Sequence, residues 1–375
     1  APVLSDEMNE LLDLMTDEEM ALLFPKGITH TERAYFDVLQ GIAEKPELEI
    51  NLKNIAPEHV NNLLGFFDLQ EQSGIRAWEK GVPYAFADGT EFTFKNDVFQ
   101  RARKSGHDGV RYEAISNKPQ LGEGGFGTVK RIKGTVSLDT ATEAIHFKKH
   151  GAGGKRRVVK VQHHSDDTNP LSHYQNGIAF AKRAAHLALK EPTVIDNSPE
   201  SQTSYTVMNE IAGRELFDIR ADDYEGIDVL STEERIDLTK ALLVALKEQV
   251  TEQGLVHRDI KPENIMVDLG SPISVKIIDY DMSMEFPDGK MIGTEGYYAP
   301  ELVTEPMNTC AKSDVYSMAR VIALIWRVDL ATYIENEDYP YTPHLFVPED
   351  TLFGLFNGID DLSDDEKTCI ERTLT

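Results

Sequence analysis

Along the first hundred or so residues, apolar positions recur at three- and four-residue intervals in three separate stretches. Ser5, followed by acidic Asp6 and Glu7, has the form of a helix start whose carboxylates complement the helix dipole. Leu11, Leu12, Leu14 and Met15 follow at helical spacing, and Thr16 to Glu19 restarts the pattern towards Leu22, Leu23 and Phe24. A second helix fits Thr31 to Ala43, with Tyr35, Val38, Leu39 and Ile42 on one stripe. A third fits Pro57 to Leu69, where Val60, Leu63, Leu64 and Phe67 repeat. The period then changes. Between Ala85 and Phe94 apolar residues alternate on either side of Asp88-Gly89, the pattern of a β-hairpin. A polar connection, Arg101 to Asn117, leads onward. The pattern predicts a helical extension with a β-hairpin over residues 1–117 and a second domain over 118–375. Apolar stripes need a partner, so the extension is expected to pack on its own core or on the next domain; dimerisation or partner binding is the other use of such faces.

Composition narrows the class. With 375 residues, 41% of them hydrophobic, the chain can bury a substantial core, which excludes wholesale disorder. A net charge of −26 argues against nucleic acid, since an acidic surface repels phosphate backbones. Cys310 and Cys369 do not make a disulfide framework and read as free thiols in a reducing compartment. No apolar stretch reaches the roughly 18–20 residues of a membrane span. The longest, Ala241–Leu246 and Val321–Trp326, read as core segments of helices. The N-terminus lacks the basic start and apolar run of a signal peptide, so a cytoplasmic protein is expected.

Three stretches of the second domain carry chemistry. The first, Leu121 to Val129, sets Gly122, Gly124 and Gly127 in the order G-x-G-x-x-G. Dinucleotide folds spell the same motif before a helix, and glycines also cluster in turns for steric reasons alone. Here Thr128 to Ile132 is strand-like, which suits a hairpin whose backbone N–H groups close over a triphosphate; an ordinary hairpin is the alternative. Lys160 stands in the apolar run Arg157–Val161, where an ammonium needs anions nearby or an edge facing water. His150 to Arg157, between them, reads as a basic, solvated hairpin tip. The strongest signal is Val256-His257-Arg258-Asp259-Ile260-Lys261-Pro262-Glu263-Asn264-Ile265. An amphipathic helix, Thr232 to Glu252, is expected to end at Gly254, placing this run in a loop. Asp259 offers an oxygen base, Lys261 a cation for transferred phosphoryl charge, and Asn264 a carbonyl ligand for Mg²⁺. The apolar strand Val275–Ile278 then delivers Asp279, a second metal ligand.

In this order, the motifs resemble a eukaryotic-type protein kinase from about Pro119 onward. Gly293-Thr294-Glu295-Gly296-Tyr297-Tyr298-Ala299-Pro300-Glu301 resembles the close of a kinase activation segment, and Ser313 to Ser317 the segment whose buried Asp holds the catalytic loop. Val207 to Leu216 resembles the hinge. The resemblance implies an α+β, two-lobed protein kinase fold: a small β-rich lobe over 118–208 and a large helical lobe over 209–375, behind a helical N-terminal extension. It further implies ATP and Mg as cofactors and a protein as substrate. Leu121, Gly122, Gly124, Gly127 and Val129 would enclose the nucleotide, and Lys160 would hold its α- and β-phosphates. Met208 would be the gatekeeper, Asn209 to Ile211 the adenine-contacting backbone, and Glu215 a neighbour of the ribose or of a basic substrate side chain. Asp259 would orient and deprotonate the acceptor hydroxyl, Lys261 would steady the γ-phosphoryl, and Asn264 and Asp279 would coordinate Mg²⁺. Lys261 paired with Thr294 is typical of the serine/threonine branch. A pseudokinase scaffold and a small-molecule phosphotransferase of related fold are the rivals.

The chain also departs from that pattern. The metal-binding triplet is Asp279-Tyr280-Asp281 in place of Asp-Phe-Gly. The helix expected over Leu171 to Lys190 contains no acid to pair with Lys160; Gln175 and Glu191 are the nearest substitutes. Between Asp279 and Gly293 only Tyr280 and Ser283 carry hydroxyls, so activation is expected not to need phosphorylation there, with Glu285 or Asp288 pairing with Arg258 instead. Leu362 to Leu374 resembles a late helix of the large lobe, and the arginine that partners Glu301 in the family usually comes after it, which implies a chain ending inside the domain unless Arg372 substitutes. The unmatched helix, enlarged hairpin and N-terminal module are similar to kinases that intracellular bacteria deliver into host cells as effectors.

Overall fold

The computed structural model describes residues 46–326 apart from 104–108, 125, 126, 140, 141, 143, 151–155, 168, 199, 222–226, 300, 301, 303 and 304. The helices expected over residues 5–24 and 31–43, and the segment 362–374, lie outside the described residues. The chain divides into two compact units, Ala1–Asn169 with Lys190–Glu210, and Pro170–Leu189 with Ile211–Thr375.

The first unit is built on β-sheet. Its strands are β1 (Glu49–Ile50), β2 (Ala77–Trp78), β3 (Pro83–Ala85), β4 (Glu91–Phe94), β5 (Val98–Gln100) and β6 (Val110–Ile115), then β7 (Gly122–Gly124), β8 (Gly127–Asp139), β9 (Ala144–Lys149), β10 (Arg157–Ser165), β11 (Thr193–Ser198) and β12 (Ser201–Asn209). Nine of them form one sheet, ordered β11-β12-β10-β8-β6-β5-β2, with β7 and β9 also paired to β8. The predicted hairpin is β3–β4, turned at Gly89, whose φ of 86° a side chain would resist. Asp88 Oδ1 accepts the N–H of Thr90 at 2.9 Å and closes that turn.

Helix α1 (Val60–Gln72), preceded by a 3-10 turn over Pro57–His59, matches the third predicted helix but runs three residues further, to Gln72. Its buried face, Leu63, Phe66 and Phe67, fits the aromatic residues of the strands. Phe67 stacks on Tyr112 at 4.1 Å, and Phe66 meets Phe92 edge-on at 5.1 Å. Tyr112 lies in the stretch read as a polar connection, and that reading is corrected: Val110–Ile115 is a strand whose last four residues are buried. Its charges misled, because Glu113 is buried in an ion pair with Arg101. The part of the extension that is described, 46–117, therefore holds one helix and six strands, and β6 pairs with β8 across the expected boundary at 117.

The second unit holds α2 (Leu171–Ala181), α3 (Leu216–Ala221), α4 (Thr232–Gln249) and α5 (Ala311–Ile325), with a small sheet of β13 (Arg214–Glu215), β14 (Ile265–Asp268) and β15 (Ser274–Ile277). Ser231 and Glu234 cap α4 reciprocally, each side chain taking the other's backbone N–H. The helix stops at Gln249, earlier than Glu252; residues 251–253 tighten into a 3-10 turn, and Gly254 takes the left-handed conformation expected of it, φ 69°. Both apolar segments picked out as helix core, Ala241–Leu246 and Val321–Trp326, fall in or at the end of α4 and α5. Helix α2 is shorter than predicted, ending at Ala181 rather than Lys190, because buried Ala184 and Leu187 close further turns and His186 Nε2 hydrogen-bonds the Ile277 carbonyl at 2.7 Å. Among the described residues no helix is long and apolar enough to cross a membrane.

Candidate active site

In the first unit, the glycine run forms a hairpin and not the start of a helix: Gly122 pairs with Val129, and Gly124 with Gly127. Gly127 is required sterically, since a Cβ there would sit 2.1 Å from the carbonyl oxygen of Val161. Leu121 donates its N–H to the Val129 carbonyl at 2.8 Å, extending the ladder. Lys160 lies in β10 between Val129 of β8 and Thr206 of β12, a central strand and not an edge. Met208 pairs with Val158 and Asn209 with Arg157 where β12 ends. Glu210 follows; its N–H goes to the Arg156 carbonyl at 3.0 Å and its carboxylate to Arg131 at 3.0 Å. Ile211 begins the second stretch of chain in the second unit.

In the second unit the run Val256–Ile265 hangs from one buried carboxylate. Asp314, in the first turn of α5 and 1% exposed, accepts the backbone N–H of His257 at 2.6 Å and of Arg258 at 2.9 Å. Burial pushes its carboxyl upward, while His257 and Arg258 pull the other way. The bonds hold Arg258 at φ 67°, a conformation a non-glycine residue keeps only when its surroundings fix it. Arg258 then ties down the following segment: Nε donates to the Met282 carbonyl at 2.6 Å and Nη1 to Asp288 at 2.8 Å. Of the two partners anticipated for Arg258, Asp288 is the one present; Glu285 pairs with Arg183 at 3.1 Å.

Asp259 is the hub of a polar cluster. Its Oδ1 accepts the Thr294 hydroxyl at 2.6 Å, and Lys261 Nζ lies 3.1 Å from its Oδ2 and 2.8 Å from Thr294. Asn264 Nδ2 donates to the Asp259 carbonyl at 2.8 Å and to its carboxylate at 3.0 Å. That uses the amide nitrogen and leaves the Asn264 side-chain oxygen as an acceptor. The N–H of Ile278 bonds the Asn264 carbonyl at 2.9 Å, which brings Asp279, at φ 61°, beside it. An amide oxygen and a carboxylate are hard donors that fit Mg²⁺, an ion that keeps waters and takes few protein ligands. Among the described residues no group of three or more His, Cys, Asp or Glu is placed to hold a metal ion. Glu215, in β13, has its carboxyl raised by burial and by the charges of Asp218 and Glu263. Glu263 Oε2 is itself buried and lacks a hydrogen-bond partner among the described residues.

Two features escaped sequence reasoning. A Cβ on Gly177, in the middle of α2, would lie 2.7 Å from the Asp281 Cα, so backbone packs directly on backbone there. A glycine inside a helical pattern was the available signal. The second is Tyr280, 1% exposed, whose hydroxyl donates to the Gln249 carbonyl at 3.1 Å and whose ring meets His257 edge-on at 5.0 Å. Ser283 is buried too.

A cluster of this make-up, on a loop between a helix and a strand, has the groups that phosphoryl transfer calls for: an oxygen base, a cation and an amide oxygen able to meet a metal ion. The family model for the protein kinase domain matches residues 115–339, more than half of the chain, and the chain belongs to that family, as a eukaryotic-type protein kinase. Relatives include a probable LRR receptor-like serine/threonine-protein kinase of Arabidopsis thaliana, 27% identical over 226 residues, 59% of this chain and 34% of that protein. A calcium/calmodulin-dependent protein kinase type II of Caenorhabditis elegans is 26% identical over 232 residues, 60% of this chain and 27% of that protein. Calcium-dependent protein kinase 6 of Arabidopsis thaliana is 26% identical over 218 residues, 55% of this chain and 35% of that protein. The chain thus matches about a third of the length of these relatives.

Proposed function

We propose that the protein is an active, ATP- and Mg²⁺-dependent serine/threonine protein kinase with the two-lobed arrangement of its family. The observation that carries this is the Asp259–Lys261–Asn264–Thr294 cluster, held by buried Asp314. In this reading the glycine hairpin and Lys160 bind the phosphates, and Met208, Asn209 and Ile211 frame the adenine. Asn264 and Asp279 would hold Mg²⁺, which supplies charge neutralisation between the phosphates when bound. Asp259 positions the acceptor hydroxyl and takes its proton as the new O–P bond forms and the bond from the γ-phosphorus to the bridging oxygen breaks, releasing ADP. Lys261, already against Asp259, balances charge on the transferred group. The serine/threonine preference rests on the Lys261–Thr294 contact and on the similarity to the Arabidopsis receptor-like serine/threonine-protein kinase. The mutual repulsion of Glu215, Asp218 and Glu263 favours substrates that bring a basic side chain.

The pseudokinase reading has one observation in its favour: α2, Leu171–Ala181, carries no acidic residue to partner Lys160. Transfer of labelled γ-phosphate to a generic protein substrate, wild type against Asp259→Ala, separates the readings. Labelled protein, lost in the variant, is expected. No transfer in either chain would support the scaffold, and a labelled small metabolite without labelled protein would support the third class.

A further inference from the structure

The first unit holds an open pocket of about 560 Å³ walled by Lys118, Arg131, Lys133, Lys149, Arg156 and Arg157. His150 also lines it, and Glu210 is the one carboxylate on the wall. In a chain of net charge −26, six cations gathered around a single acid are out of character. They repel one another, at a cost that a bound anion would relieve.

The sheet is shaped to make this cavity. Strand β8 carries one residue more than β6 between the pairs Ala114–Gly134 and Ile115–Ile132, and that residue is Lys133. Such a bulge re-aims a side chain. The Lys133 ammonium is met by Asn96 at 3.0 Å and Asn51 at 3.3 Å, neutral amides that leave its charge intact. Next to it, a Cβ on Gly134 would lie 2.3 Å from the ring of Phe147, so glycine is what lets β9 lie close and bring Lys149 and His150 to the wall. Arg157 Nη1 is buried without a hydrogen-bond partner among the described residues. Burial, then the charges of Arg157, Lys148 and Arg101, hold His150 below its ordinary value. Burial, then Lys95 and Lys53, do the same to Lys133. In both groups burial is the larger cause and the neighbouring cations the next.

We propose that this cavity binds a small molecule bearing two or more phosphate groups. Its volume is that of a small-ligand pocket. Arginine forks and lysine ammonium groups match phosphate oxygens, and several cations spread around one space suit several phosphates better than one. A nucleic acid chain is disfavoured by the charge of the rest of the protein. Free polyphosphate esters and phosphorylated lipid headgroups share this chemistry.

The test is calorimetric binding of inorganic tripolyphosphate to the full chain, with a non-hydrolysable ATP analogue in excess so that a nucleotide site cannot give the signal. A second arm measures co-sedimentation with phosphatidylcholine vesicles carrying phosphatidylinositol bisphosphate. Binding is expected in at least one arm, with free tripolyphosphate indicating a soluble ligand and vesicles alone indicating a headgroup. The exposed pair Lys149→Glu and Arg156→Glu should weaken it at least tenfold. If that pair fails to fold, Lys149→Gln with Arg156→Gln decides, with at least a threefold loss. No binding in either arm, or equal binding by wild type and variants, overturns the proposal.

Discussion

The catalytic loop and helix α2 belong to the same unit and met the family pattern very differently. In the loop every charged residue of the pattern is present, and its backbone is fixed by buried bonds from Asp314. In α2 the acid of the pattern is missing, and the helix instead offers Gly177, against which Asp281 packs backbone to backbone. A buried carboxylate that satisfies two N–H groups cannot be exchanged for another residue type without stranding both donors. A surface matched by shape alone can be rebuilt, here with a glycine on the helix facing the residue that replaces a glycine in the metal-binding triplet. In this chain the loop keeps its charged groups on a buried anchor, while α2 lacks the acid and meets its neighbour through a close fit of backbones.

Breaking the loop should have the largest effect. Asp314→Ala leaves two buried donors unpaired, each costing about 1–3 kcal/mol. The resulting shift of Asp259 should lower kcat about 10²-fold, the scale expected of a displacement near 1 Å. Urea unfolding and initial rates check both numbers. Asp314→Asn, which retains one acceptor oxygen, should lie between.

Gly177→Ala sharpens the other side of the comparison. On an open helix the change would stabilise by up to about 1 kcal/mol. Here the added Cβ meets the Asp281 backbone, so a loss of about 1–3 kcal/mol and a matching fall in activity are expected. A stabilised, fully active variant would show that the two backbones do not meet.

Asp288→Asn probes the link between loop and activation segment. Burial works against the Asp288 carboxylate, but the Lys290 N–H and the Arg258 guanidinium outweigh it and hold it below its ordinary value of 3.8. A carboxyl lowered on folding stabilises above that value and loses its contribution as pH falls through and below it. Wild type should therefore lose a small increment of stability on acidification below about pH 4 that Asp288→Asn lacks. Thermal melts across pH 3–7 would show it, and the effect is modest because Asp288 is exposed.

The legible parts of the sequence were those where spacing alone dictates structure. Asp88-Gly89 set the hairpin, Gly254 the helix end, and the strand after the glycines separated a hairpin from a dinucleotide turn. Asp259, Lys261 and Asn264 were readable because they stand close together in the chain, Thr294 only through the resemblance of its segment to the family pattern, and Asp288 because an arginine at Arg258 needs an acid. Residues 110–115 were not readable, since an ion pair from Glu113 to Arg101 hides charge inside a core. Nor was the contact of Gly177 with Asp281: a glycine inside a helical pattern hints at a close approach, but not at which distant backbone makes it.

Ser283 and Tyr280, the hydroxyl-bearing residues expected between Asp279 and Gly293, are both buried, and Arg258 already has a carboxylate partner. The central claim is therefore a catalytic centre assembled by Asp314 and Asp288, without added phosphate. It is tested most directly by the rate of γ-phosphoryl transfer from ATP to protein by phosphatase-treated chain. Turnover within twofold of the untreated protein, falling by about 10²–10⁴ in Asp259→Ala, is the predicted result. Turnover abolished by the phosphatase, or untouched by loss of Asp259, would contradict it.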